Sequence, residues 1–203
     1  TIDGLRARLL RISFSGELAY EIAVPTRYGD ALIRRLVEEG RAFDAVVYGT
    51  EALGVMRVEK GHVAGNELNG QSTALNMGLG KMVSKKKDSI GMVLSQRAGM
   101  NDPNGYRLVG VKPVAPAGKL TAGSHFLEIG AVPEIANDGG WLTSKVFSPH
   151  LGCDIALGYL KGGDQKIGRR MRAVNLLTSP ASETEVEIVS PHFFDPEGER
   201  LRG

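Results

Sequence analysis

From Tyr106 to the C-terminus, short apolar runs recur at close, regular intervals: RLVGVKPV, LEIGAV, WLTSKVF, DIALGYL, MRAVNLL and VEIVS. Glycine and proline clusters separate them, at spacings typical of a small β sandwich or barrel. That texture restricts residues 106–203 to an all-β domain, a small barrel or jelly-roll-like sandwich. Lys161-Gly162-Gly163-Asp164 reads as a hairpin turn within it and not as a phosphate loop, because it opens no helix.

The N-terminal part has a different texture. Residues 5–25 give two β runs, RLLRISF and LAYEIAVP, joined at Ser15-Gly16-Glu17 as in a hairpin. Over 27–40, Leu32, Ile33, Leu36 and Val37 fall on one helical face, and Gly40 stands where a helix C-cap would. AVVYG, residues 45–49, reads as a strand, and Thr50 as the N-cap of a helix carrying Leu53, Met56 and Val58. A polar loop follows at Asn66–Thr73, then a charged run at Lys85–Asp88, a short helix over Ser89–Met100 and a turn at Asn101–Gly105. The expected organisation is α+β over residues 1–84, a connector over 85–105 and the β domain over 106–203.

Composition excludes several classes. No run approaches the roughly 18 apolar residues of a membrane helix, and a net charge of +2 points to neither nucleic acid nor a membrane surface. A single cysteine, Cys153, leaves no internal disulfide framework and fits a reducing, cytoplasmic setting; in its strand it reads as a packed, inert thiol. His62, His125, His150 and His192 are scattered without metal-ligand spacing, so no metal site is expected. Gly78-Leu79-Gly80-Lys81 lacks the rest of a Walker loop, and no Gly-x-Gly-x-x-Gly opens a strand–helix unit. Lys85, Lys86 and Lys87 read as a solvated turn, with an anionic ligand such as a polyglutamate tail as the other reading. The chain opens at Thr1 with strand pattern almost at once, as a piece of a longer protein would.

Glu21 raises the sharpest question. It lies inside the second β run, between Tyr20 and Ile22, which alternation sends to the opposite face. The carboxylate therefore faces either solvent or a ligand.

RISFSGELAYEIAVP, TEALGVMRVEKG and ALNMGLGKMVSKKKDSIG, in that order, resemble the aminomethyltransferase fold of the glycine cleavage T-protein family. With RLVGVKPV, SPHLGCDIALGYLKGGDQKIG and the closing EVEIVSPHFFDPEGERLRG, the series is similar to the C-terminal part of the alpha subunits of heterotetrameric sarcosine oxidases. The resemblance implies a ferredoxin-like α+β segment of a folate-binding domain, followed by the C-terminal barrel. It implies an oxidoreductase assembly that demethylates sarcosine to glycine and captures the one-carbon unit as 5,10-methylenetetrahydrofolate. Tetrahydrofolate would bind in this region. FAD, FMN and NAD belong to the full complex and not to this chain, whose partners would be the beta subunit and the upstream part of its own subunit.

By the same resemblance Glu21 matches the family's pterin ligand, since an ionised carboxylate accepts two parallel N–H bonds. Phe14 matches a position beside the folate, where an ordinary core role is the other reading. Arg57, in the Arg-x-Glu segment with Glu59, is a third folate-site candidate, in support more than contact. Glu17 reads as a turn residue and Asn76 as one that orders its loop. Leu53 stands where T-proteins carry a folate-site arginine. No catalytic residue is expected in this chain, because the family's catalytic aspartate lies upstream of the matched region. Two alternatives stay open: a scaffold or subunit-interaction domain without folate chemistry of its own, and an iron–sulfur-maintenance or tRNA-modification relative. The second group's Lys-Gly-Cys-Tyr-x-Gly-Gln-Glu motif has His62 and Asn66 here in place of its cysteine and glutamine.

Overall fold

The structure is a computed structural model, and it describes residues 4–84, 86–178 and 180–203. The chain is an α+β segment followed by a closed β-barrel. It divides into two compact units, residues 1–57 with 197–203, and residues 58–196.

In the first unit, β1 (Arg8–Leu10) pairs antiparallel with β2 (Glu21–Ala23), in the register Arg8↔Ala23, Leu9↔Ile22, Leu10↔Glu21. That register is the one a tight turn at Ser15-Gly16 demands, yet the ladder is much shorter than the two β runs suggest. Side chains hold the loop instead: the Gly16 N–H donates to Ser13 Oγ at 3.0 Å and the Glu17 N–H to Ser15 Oγ at 3.4 Å. Local serine acceptors of this kind compete with ladder hydrogen bonds.

Helix α1 (Gly29–Gly40) forms where the apolar periodicity places it, with outward pairs Arg34–Asp30 and Arg35–Glu39, both at 2.9 Å. Its end lies further on than Gly40. A 3-10 turn over Arg41–Phe43 continues the helix, and Asp44 takes the left-handed conformation at φ 53°. The Ala45 N–H donates to Gly40 O at 3.0 Å and the Asp44 N–H to Arg41 O at 3.4 Å, the paired bonds of a Schellman ending. Gly40 is needed for space: a Cβ there would lie 2.8 Å from that of Ala45. Residues 45–49 form no strand, and Val46 and Val47 are about four-fifths exposed, at 82% and 79%. Thr50 is the first residue of α2 (Thr50–Lys60) rather than its cap, since Gly49 O accepts the Leu53 N–H.

In the second unit, α3 (Met92–Ser95) is the one α-helical turn within the segment 89–100, followed by a 3-10 turn at Ala98–Met100. The turn at Asn101–Gly105 is present, closed by the Gly105 N–H on Asp102 O at 3.0 Å. The barrel strands are β3 (Tyr106–Pro113), β4 (His125–Leu127), β5 (Gly140–Ser148), β6 (Cys153–Lys161), β7 (Arg170–Asn175) and β8 (Ser182–Val189). They close in the order β3-β6-β5-β4-β7-β8, all pairs antiparallel. Of LEIGAV, only Leu127 is in a strand. The Lys161–Asp164 segment is no hairpin: it leads through a 3-10 turn, Gly163–Lys166, from β6 to β7, which are not neighbours.

Alternation along the strands fills the barrel with Val109, Val111, Phe126, Leu142, Ala156, Leu160, Met171, Ala173, Val186 and Ile188. The opposite face of β3 and β6, with Leu108, Ile155, Leu157 and Tyr159, packs against Val58, Val63, Met77 and Phe193. Both faces of these strands are covered, which is why their sequences read as unbroken apolar runs. Gly140 permits the start of β5, where φ is +141° and a Cβ would lie 1.9 Å from Tyr159 O. Cys153 is a free, half-buried thiol in the second cluster. Lys85 lies outside the described residues.

Candidate functional site

Glu21, Phe14 and Arg57 all belong to the first unit. Glu21 opens β2 opposite Leu10 and is exposed, while its neighbour Ile22 is half-buried, as the alternation predicts. Its carboxylate takes part in no ion pair or hydrogen bond among the described residues, and so is available to accept bonds from a ligand. Phe14 lies on the loop of the same hairpin and is 37% exposed, so it is not a packed core residue. Arg57 is half-buried on α2, one turn after the half-buried Leu53.

Glu17 does more than make a turn. Its carboxylate meets Arg200 Nε at 2.6 Å, and Arg11 Nη2 donates to Leu201 O at 3.0 Å, so the C-terminal residues brace the hairpin. Around these groups the unit presents its apolar side chains outward. Leu9, Ile12, Tyr20, Ile33, Leu36 and Val37 are all exposed, and none of the unit's described hydrophobic side chains is buried.

The second unit holds polar residues whose burial the sequence did not disclose. Glu59 accepts a short hydrogen bond from Ser148 Oγ, and its main-chain oxygen takes the N–H groups of Phe193 and Phe194, each at 3.0 Å. Lys60 Nζ pairs with Asp195 Oδ2 at 2.8 Å, both side chains buried, and His192 Nδ1 lies 3.0 Å from Lys60 O. Gly61, at φ +77°, lets Pro191 O approach to where a Cβ would be 2.3 Å away. Glu59 is thus held in place by Ser148 and by the main chain at Phe193 and Phe194.

Glu67 is fully buried. The Thr143 and Ser144 hydroxyls donate to its Oε1 at 2.5 and 2.6 Å, and the Ala64 N–H donates to Oε2 at 3.0 Å. A β-bulge in β5 between Leu142 and Ser144 supplies both hydroxyls from adjacent residues. The Tyr159 hydroxyl donates to Glu67 O at 2.7 Å; burial, with the nearby Glu67 charge, raises the phenol pKa despite the Ser72 hydroxyl. Asn76 orders its loop as expected: Oδ1 accepts from the Thr73 N–H and Oγ1, both 2.7 Å, and Nδ2 donates to Tyr106 O at 2.8 Å.

Comparison with known proteins places this geometry. Residues 1–87 match the GCVT N-terminal domain and residues 107–195 the glycine cleavage T-protein C-terminal barrel domain. The chain belongs to the glycine cleavage T-protein family.

Within that family it is similar to a sarcosine oxidase subunit alpha of Rhizobium meliloti (strain 1021), 43% identical over 97% of this chain and 20% of the relative. The corresponding subunit of Corynebacterium sp. (strain P-1) is 36% identical over 100% of this chain and 21% of its own length. The mitochondrial aminomethyltransferase of Pisum sativum is 30% identical over 85% of this chain and 41% of that protein. The crystal structure of the glycine cleavage system aminomethyltransferase T from Bartonella henselae has the same fold, with a TM-score of 0.70 at 21% identity. It is matched over 93% of this chain and 50% of that one. The chain therefore spans about a fifth of the sarcosine oxidase relatives it matches.

Proposed function

We propose that this chain is the folate-binding portion of a sarcosine oxidase alpha subunit, laid out as domains 1–84 and 106–203 with a connector between. In that role it supports the oxidative demethylation of sarcosine to glycine and the capture of the released carbon as 5,10-methylenetetrahydrofolate. The observation that carries the reading is Glu21: an exposed carboxylate with no partner among the described residues, on a braced hairpin, within a sequence 43% identical to such a subunit.

The residues present fit the pterin. Glu21 accepts two parallel N–H bonds, which as charge-assisted bonds fix orientation as well as affinity. Phe14 supplies an accessible ring for stacking, and Arg57 supports from α2. When bound, tetrahydrofolate supplies the nitrogen nucleophile that takes up the one-carbon unit. The chain's own contribution is positioning and exclusion of water. Flavin and nicotinamide chemistry is assigned to other parts of the assembly, a cytoplasmic heterotetramer in which this chain meets the upstream part of its own subunit and the beta subunit.

A scaffold role without folate chemistry is the second reading, favoured by Leu53 at the place of the family arginine. The two separate in the whole enzyme turning over sarcosine. With tetrahydrofolate present, the folate reading predicts methylenetetrahydrofolate in place of free formaldehyde. Formaldehyde release unaffected by tetrahydrofolate would leave only the scaffold.

A further inference from the structure

The outer wall of the barrel carries a concavity that the folate reading does not use. A cavity of about 270 Å³ lies over the paired strands β4 and β7. Leu127 and Val174, buried at 3% and 5%, line it among other apolar side chains. Two further lining residues, Ile135 on the 128–139 loop and Leu177 beyond β7, are 95% and 97% exposed and extend its apolar surface to the mouth.

Its polar side chains are His125, Glu134, Asp138 and Asn175, and the Asn175 amide oxygen is already taken by the Leu177 N–H at 2.9 Å. His125 Nδ1 stands 3.1 Å from Asp138 Oδ1, which also accepts the Gly140 N–H at 2.9 Å and is thereby fixed in place. In its neutral form, with Nδ1–H given to Asp138, the imidazole presents Nε2 as an acceptor. Glu134 adds a second carboxylate, one oxygen of which takes Asn137 Nδ2 at 3.2 Å. The cations nearby do not line the cavity and already have partners. Lys161 donates to Asp138 O at 3.2 Å and Arg172 pairs with Glu183 at 2.8 Å, while Lys166 and Arg169 face Glu128.

An apolar cavity whose charged lining groups are two carboxylates, beside an imidazole and one carboxamide, suits one ligand chemistry. We propose that this cavity binds a small hydrophobic amine in its protonated form. The apolar body lies against Leu127 and Val174, and the ammonium N–H groups point to Asp138, Glu134 and His125 Nε2. A carboxylate or phosphate ligand would meet two like charges there. The site is separate in sequence and unit from Glu21, and its fate is independent of the folate reading.

The test is titration of 2-phenylethylammonium into the full, ¹⁵N-labelled chain, followed by amide shifts. 2-Phenylethanol and 3-phenylpropionate serve as probes with the same aromatic body. The proposal predicts saturable shifts confined to residues 123–139 and 174–177, with the ammonium binding about tenfold or more tighter than the alcohol. Glu134→Gln, on an exposed loop, and Asp138→Asn, which keeps an acceptor for Gly140, should each weaken the ammonium by roughly three- to tenfold and leave the alcohol unchanged. Equal binding of the three probes, shifts elsewhere, or no saturation by roughly 10 mM would overturn it.

Discussion

At the scale of single residues, the chain separates acids that meet solvent from acids that hold the fold. Glu21 was legible, because two-residue alternation and the family motif both mark it, and it is exposed beside half-buried Ile22. Lys60, Glu67 and Asp195 were not, because burial arises from partners far along the chain: Ser144 for Glu67, Asp195 for Lys60. Removing one member of a buried pair strands the other charge. Lys60→Met should therefore cost about 3–5 kcal/mol of stability. Asp195→Asn together with Lys60→Met should cost much less, and denaturant melts of the two variants decide. Tyr159 makes a pH prediction with a definite sign. Its folded pKa lies above the ordinary phenol value, so the folded state holds the proton longer than the unfolded one. Its contribution is whole below about pH 10 and is lost as pH rises from there through the folded pKa. Tyr159→Phe should flatten that alkaline fall and cost about 1 kcal/mol at neutral pH through the lost bond to Glu67 O.

At the scale of elements, the strands that pack on two faces were legible and those lacking neighbours were not. β3 and β6 read clearly because both faces are covered, whereas AVVYG has strand propensity but no ladder partner among the described residues. The end of α1 shows the same limit. Gly40 looked like a cap, yet the left-handed residue is Asp44, and Gly40 instead makes room for Ala45. Asp44→Gly should stabilise the chain by roughly 0.5–1 kcal/mol, since glycine takes that conformation without strain. Gly40→Ala should destabilise it, although alanine is the better helix former, because its methyl meets Ala45. Thermal melts of both variants check the pair, and a stabilising Gly40→Ala would contradict the close approach.

At the scale of the whole molecule, stability is distributed unevenly. The buried hydrophobic core belongs to residues 58–196, while the first unit turns Leu9, Ile33 and Val37 outward. Hydrogen exchange on the isolated chain should show slow amides in β3, β5 and β6 and fast ones throughout residues 4–57. Equal protection in both would contradict this burial. The barrel and the α+β segment were legible because local pattern specifies them. The completeness of a folate pocket was not, since this chain spans about a fifth of its sarcosine oxidase relatives and half of the matched aminomethyltransferase structure. On the proposed folate reading, Glu21 holds the pterin in the whole assembly. Calorimetric titration of 5-formyltetrahydrofolate into the whole enzyme and its Glu21→Gln variant decides this. The account predicts binding by the former and a loss of about 1.5–3 kcal/mol in the latter, as for a hydrogen bond to a charged group. Equal affinity in the two would take Glu21 out of the site, and no binding to either would leave the fold a scaffold.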